Sequence, residues 1–221
     1  MRKLIFAVVY LFFGLAFAKE AVIPVDLEPA HKVVFRNEFV EVIRAALPPG
    51  ESTLLHSHAR ARVAVNLSEA TVKEDVPGKK TAQILSVIAG SVSLQDYDKR
   101  PFTHRMTNVG KAIFEALDIE LLSRPEGPAT EPIAVPAAEN KAFRVYKWEL
   151  IPGASTPEHA HSRPYLIIAA SPMQLSMTSP DGATMEHPVK AGDFHWIAEK
   201  VTHTLTNKGK EAGTLIEVEL R

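Results

Sequence analysis

Residues 48–58 read PPGESTLLHSH, and residues 151–161 read IPGASTPEHAH. Gly50, Ser52, Thr53, His56, His58 and Arg60 recur 103 positions later as Gly153, Ser155, Thr156, His159, His161 and Arg163. A second pair of stretches follows, HRMTN at 104–108 and HTLTN at 203–207. Here His104, Thr107, Asn108, Gly110 and Lys111 recur 99 positions later as His203, Thr206, Asn207, Gly209 and Lys210. Two motifs that both keep their internal spacing, with four more residues between them in copy one, mark a duplicated domain. Six of the nine histidines fall inside this pattern, three per copy.

In an extended strand, residues two apart project to the same face. His56 and His58 therefore enter one interior, as do His159 and His161. A third histidine from a distant strand, His104 or His203, completes a triad of imidazoles. Three protein ligands leave coordination positions open, which is the arrangement of catalytic rather than structural sites. Imidazole serves Fe, Zn, Mn, Ni and Cu, so the expected cofactor is one divalent transition metal ion per intact site, undetermined among these. A lone His-x-His pair is weak evidence, and the alternative for either copy is a trio of buried hydrogen-bonding histidines that holds no ion.

The chain has 221 residues, with 25 Lys and Arg against 26 Asp and Glu, and no cysteine. Arg2 and Lys3, an apolar run over 4–17 and the small-x-small site Ala16-Phe17-Ala18 have the form of a signal peptide spanning 1–18. The run is short beside the about 20 residues of a spanning helix. A secreted or periplasmic protein with no stable membrane anchor after cleavage is the expectation. Lack of cysteine excludes disulfides and a lipid-modified cysteine. The balanced charge shows no basic stripe of the kind nucleic acid asks for.

From Val33 the chain reads as short strands punctuated by Gly and Pro: 39–47 before the first motif, 63–67 after its histidines, and 111–122 closing copy one. In that closing stretch Phe114, Leu117, Ile119 and Leu121 are interspersed with Glu115, Asp118 and Glu120. Leu215, Ile216, Val218 and Leu220 against Glu217 and Glu219 repeat the near period-two pattern in copy two. Pro125, Pro128, Pro132 and Pro136 make 123–140 a linker or a strap over the surface. The class is all-β, two similar barrels over 19–122 and 141–221 joined by this proline-rich linker, with no helix longer than two turns.

These motifs resemble those of the cupin superfamily, and their repetition resembles a bicupin, two jelly-roll-type β-barrels in tandem. Gly50 and Gly153 stand six residues before His56 and His159, as the first cupin motif asks, and His104–Asn108 and His203–Asn207 match the end of the second. The resemblance covers roughly 33–122 and 141–220. The family's first motif continues to a glutamate, a ligand or base in many enzymatic members. Here Arg62 and Tyr165 stand four residues after the second histidine, followed by Val63 and Leu166. The proline and glycine of motif two are replaced by Lys99 and Pro101 in one copy and by Ala198 and Lys200 in the other. What remains resembles the three-histidine site of thiol dioxygenases and some small degradative cupins. The resemblance implies a metal-dependent, oxygenase-like or related enzyme acting on a small organic acid. The alternatives are a non-catalytic cupin module that binds a ligand or metal, and a scaffold with degenerate pockets.

Strand parity divides the two pockets. Arg60 and Arg62 share the inward face with His56 and His58, and two guanidiniums beside a divalent ion call for an anion between them. An acidic ligand clamped by Arg60 and Arg62 is one expectation; pairing with Asp or Glu at the rim is the other. Pocket two sets Arg163 and Tyr165 on that face, with Arg163 a substrate-binding candidate and Tyr165 a phenolic donor to a bound oxygen. His195, eight residues before His203, is a candidate fourth ligand or proton shuttle. Trp148 and Trp196 read as core, and His31 and His187 as surface. Asn108 and Asn207 read as turn-holding residues. The expected partners are a small, anionic molecule and, as an open alternative, a second copy of the chain.

Overall fold

The computed structural model describes residues 20–127 and 131–221. The expected signal peptide therefore lies outside the described residues, as does part of the proline-rich stretch. Copy one consists of β1 (Ile23–Pro24), β2 (His31–Arg36), β3 (Val40–Leu47), β4 (His56–His58), β5 (Ala61–Asn66), β6 (Ala70–Asp75), β7 (Gln83–Val87), β8 (Val92–Asp96), β9 (Phe102–Asn108) and β10 (Phe114–Leu121). Copy two consists of β11 (Ala138–Glu139), β12 (Phe143–Leu150), β13 (His159–His161), β14 (Tyr165–Ala169), β15 (Met173–Thr178), β16 (Thr184–Val189), β17 (Phe194–Ile197), β18 (Val201–Asn207) and β19 (Gly213–Leu220). A 3-10 turn at Val25–Leu27 is the sole helical element among the described residues.

Each copy folds into two facing sheets. Copy one has the orders β1-β4-β9-β6-β7 and β2-β3-β10-β5-β8, and copy two the matching orders β13-β18-β15-β16 and β11-β12-β19-β14-β17. The register repeats as the sequence offsets require: His56 faces His104, and His159 faces His203. Gly50 (φ +83°) and Gly153 (φ +77°) close the turns ahead of the histidine strands in a conformation that L side chains rarely adopt. Asn108 holds the next turn, its Nδ2 donating to the carbonyls of Leu47 and Ala112 and its Oδ1 accepting from the Gly110 N–H. Asn207 repeats this with Leu150, Glu211 and Gly209.

The alternation in β10 and β19 points the opposite way from a simple apolar-inside rule. Leu117, Ile119, Ile216, Val218 and Leu220 face outward from their barrels. They join Val40, Val42, Val63, Phe143, Val145, Leu166 and Ile168 in one core shared by both copies. Asp118, Glu120, Glu217 and Glu219 point inward and are buried. Phe35 and Phe39 of copy one reach Phe194 and Trp196 of copy two with ring centroids 6.1–6.2 Å apart, and Arg44 Nη2 donates to the Gly192 carbonyl at 2.6 Å. Trp196, expected in the core, is half-buried and packs against the core at the joint between barrels.

The proline-rich stretch ends as a strand, since β11 pairs with β12. Upstream of it, Arg163 donates to the carbonyls of Pro125 and Gly127, and the Ile133 N–H donates to the Tyr146 hydroxyl at 3.2 Å. Among the described residues no helix is long and apolar enough to cross a membrane.

Candidate metal centres

In copy two the pairing of β13 with β18 brings His159, His161 and His203 to one spot inside the barrel, all buried. Glu217 on β19 joins them. Its Oε1 lies 3.3 Å from His159 Nε2, 3.2 Å from His161 Nε2 and 3.2 Å from His203 Nε2, while His159 Nε2 and His203 Nε2 are 2.8 Å apart. Donors held at about 2.1 Å around one ion in neighbouring octahedral positions stand about 3.0 Å apart, so this set fits a metal. Each ring is aimed by its other nitrogen: His159 Nδ1 donates to the Pro157 carbonyl at 2.8 Å and His161 Nδ1 to Glu219 Oε2 at 3.0 Å. His203 Nδ1 lies 3.3 Å from the Met177 sulfur. The Trp148 indole N–H donates to Glu217 Oε2 at 2.6 Å and fixes the carboxylate in turn. Such outer contacts set ring orientation and ligand basicity.

Burial by itself would raise the Glu217 carboxyl, but the three imidazoles hold it well below its usual value. Burial opposes protonation of His161, and its hydrogen bonds to Glu217 and Glu219 outweigh it and raise its pKa. His203 is lowered by burial, with Glu217 opposing. Glu217 is therefore an anion, the form in which a carboxylate binds a cation.

Copy one holds His56, His58 and His104 in the same places. His56 Nδ1 donates to the Leu54 carbonyl at 2.9 Å, His58 Nδ1 to Glu120 at 3.2 Å and His104 Nδ1 to Glu74 at 2.8 Å. His58 and His104 approach Nε2 to Nε2 at 3.3 Å, and His56 Nε2 is buried with no hydrogen-bond partner. Burial pushes His56 down to about 4, and burial with the Arg62 charge pushes His58 down to about 2, so both are neutral and able to ligate. The fourth donor differs. Asp118 matches Glu217 in register, because each faces equivalent residues on the neighbouring strand, Ala64 and Ile167. Asp118 is spent on Arg62 at 3.1 Å, and Arg62 Nη1 also lies 3.2 Å from both ring nitrogens of His58. Copy one therefore offers three imidazoles beside a fixed cation.

The arginines do not form a free cationic clamp. Arg60 pairs with Glu120 at 3.0 Å, Arg62 with Asp118 and with Gln95 Oε1 at 2.9 Å, and Arg163 turns away to the 125–127 backbone. Replacing Arg62 by Tyr, the residue at its place in copy two, is expected to release Asp118 and raise divalent metal affinity of barrel one at least about tenfold. Metal titration of Arg62→Tyr in a chain that also carries His203→Ala checks this, and unchanged affinity would refute the assignment of Arg62 as the competing cation.

Tyr165 is buried, stacked on His161 with ring centroids 3.8 Å apart, and its hydroxyl has no hydrogen-bond partner. Burial and the charges of Glu217 and Glu219 push its pKa up, so the phenol stays a donor. His195 sits exposed on β17 opposite Ile167, at the rim of the cavity and outside the four-donor group. His31 corrects the surface reading. Its side chain is 8% exposed, its Nδ1 donates to the buried Glu28 at 2.6 Å, and its ring centroid lies 4.7 Å from that of His56. His187 is exposed, as expected, yet lines the mouth of the second cavity.

Two tandem barrels with the same strand order, each holding a histidine triad on its inner face, decide the fold. It is that of a bicupin. No protein-family profile matches the chain. The chain superposes on AerE from Microcystis aeruginosa with a TM-score of 0.58 and 14% identity, over 88% of this chain and 98% of that one. A salicylate 1,2-dioxygenase variant from Pseudoaminobacter salicylatoxidans matches with a TM-score of 0.56 and 10% identity, over 82% and 71%. A deletion mutant of Bacillus subtilis oxalate decarboxylase matches at 0.55 and 15%, over 86% and 71%. In sequence, the beta-alanine degradation protein BauB of Pseudomonas aeruginosa strain PAO1 is 27% identical over 92 residues, 41% of this chain and 96% of that protein.

Sequence reasoning missed Glu217, Trp148 and the His31–Glu28 pair. The signal for Glu217 was present, since the offset of 99 that aligns the second motifs also carries Asp118 onto Glu217 and Glu120 onto Glu219. The missing motif glutamate thus has a stand-in on the adjacent strand in copy two.

Proposed function

We propose that the protein is a metal-dependent enzyme of the cell envelope whose chemistry takes place in the second barrel, on a small organic acid. The convergence of His159, His161, His203 and Glu217 carries this reading. A metal bound there supplies Lewis acidity and open positions for substrate or dioxygen. The chain's own residues do the rest. Trp148 and Glu219 keep the ligands aimed, Tyr165 offers a buried hydroxyl donor to whatever binds, and the surrounding aliphatic side chains exclude water.

The names of the similar proteins, which concern oxalate, salicylate and beta-alanine, support an organic acid as substrate. The Mn(II) centres named for Bacillus subtilis oxalate decarboxylase support a divalent transition ion. The leader-like residues 1–18 support secretion or a periplasmic place. For barrel one the Arg62–Asp118 pair favours a different role, ligand or metal binding without turnover. Elemental analysis of the purified protein beside His159→Ala and His203→Ala is the test. Metal and turnover are expected to fall together in both variants, and equal metal in all three proteins would sink the reading.

A further inference from the structure

The two copies diverge where they line their cavities. Shared register sets Arg62 against Tyr165, Asn66 against Ala169, Glu74 against Met177 and Gln95 against Ile197. In barrel one Arg62, Asn66, Glu74 and Gln95 line a cavity of about 320 Å³. The cavity of barrel two, about 370 Å³, is walled by Ile167, Leu175, Met177, Ile197, Leu205 and Leu215, and no lysine or arginine among the described residues lines it. The four donors themselves are not among its lining residues, and the cavity approaches them through Met177, Leu205 and Leu215. Leu205 and Leu215 stand two residues from His203 and Glu217 on the same inward faces, and the Met177 sulfur touches His203.

We propose that barrel two takes a single-ring or short-chain apolar molecule whose one polar head, an acid or other oxygen donor, turns to the four-donor site. This rests on the metal-centre reading above and adds the polarity and size of the substrate. The volume lies at the small end of the about 300–1,000 Å³ typical of small-molecule sites. Its ionisable lining residues are His187, Asp193 and His195, and a molecule charged at both ends would press its second charge against Ile167, Ile197 and Leu205 wherever it lay away from these three. Arg163, whose parity suggested such a cation, is held at the 125–127 backbone instead.

Benzohydroxamate and acetohydroxamate share a metal-directed head and differ in the body, while oxalate is head alone. Methyl spectra of the methionine-labelled full chain separate the barrels, because Met177 and Met185 line cavity two and Met106 lines cavity one. In metal-loaded protein benzohydroxamate is expected to shift Met177 and Met185 and to bind at least about tenfold tighter than acetohydroxamate, with oxalate weaker than both. Ile197→Gln, which installs the side chain found in copy one, is expected to abolish the advantage of the ring. Ile197 is half-buried, so the barrel is expected to keep its shape.

Equal affinity for the two hydroxamates, or shifts confined to Met106, would overturn the proposal. Metal-free protein tells the two readings apart. If the ring shifts Met177 and Met185 with the same affinity whether or not metal is present, the apolar site stands and the metal-centre reading fails. If it shifts neither methyl in either state, the apolar site fails.

Discussion

Glu217→Gln is expected to weaken divalent metal binding in barrel two by about 100-fold or more. Loss of a mere outer partner of a ligand typically costs about 10- to 100-fold, and here an anionic donor of the site itself becomes a neutral amide. The change is close to isosteric, and an amide oxygen still accepts from the Trp148 indole N–H, so the barrel should keep its shape. Calorimetric titration in a chain also carrying His104→Ala, which silences barrel one, reads barrel two alone. Unchanged affinity would return the site to three histidines and remove the distinction drawn between the copies. Asp118→Asn is expected to have a far smaller effect on barrel one, because Asp118 already answers Arg62.

Phe143→Ala should destabilise the protein by about 3–5 kcal/mol, the usual cost of emptying a large buried aromatic site. Phe143 is fully buried in the core that both copies share. The loss is therefore expected to fall on both barrels together, as one cooperative unfolding transition at lower denaturant. Two separable transitions, with barrel one unmoved, would show that the joint contributes little. The same core predicts that either half on its own would expose an apolar sheet face built from residues such as Val63, Leu117 and Ile119, or Leu166, Ile168 and Val218.

The fold was legible because the duplication fixes register twice over. Once His56 and His58 are placed on a strand, the two offsets dictate which residues of copy two occupy the same strand positions. The histidine triads followed from the same parity. The acidic donors did not, because alternation in β10 and β19 states only that one face is polar, whereas both faces are buried and the polar one lies inside the barrel. Which face is inside depends on what covers the outer face, a long-range fact that a local pattern does not contain. Parity also placed Arg62 inside correctly but not its partner, since Asp118 lies 56 residues away on a strand whose neighbours only the fold reveals. His31 reads as a surface residue in the sequence because it stands outside the repeat, and the structure buries its side chain. In copy two its place beside the first histidine is taken by Trp148, whose ring stacks on His159 with centroids 5.7 Å apart.

The outward aliphatic layer has a consequence for how such a chain changes over time. Along β5, β10, β14 and β19, one set of positions welds the barrels together and the alternate set shapes the cavities. A substitution at Arg62, Asp118, Tyr165 or Glu217 alters the inner face of a barrel, and none of the four belongs to the shared core. Changes inside either barrel thus leave intact a layer that neither pocket can see and from which both draw stability.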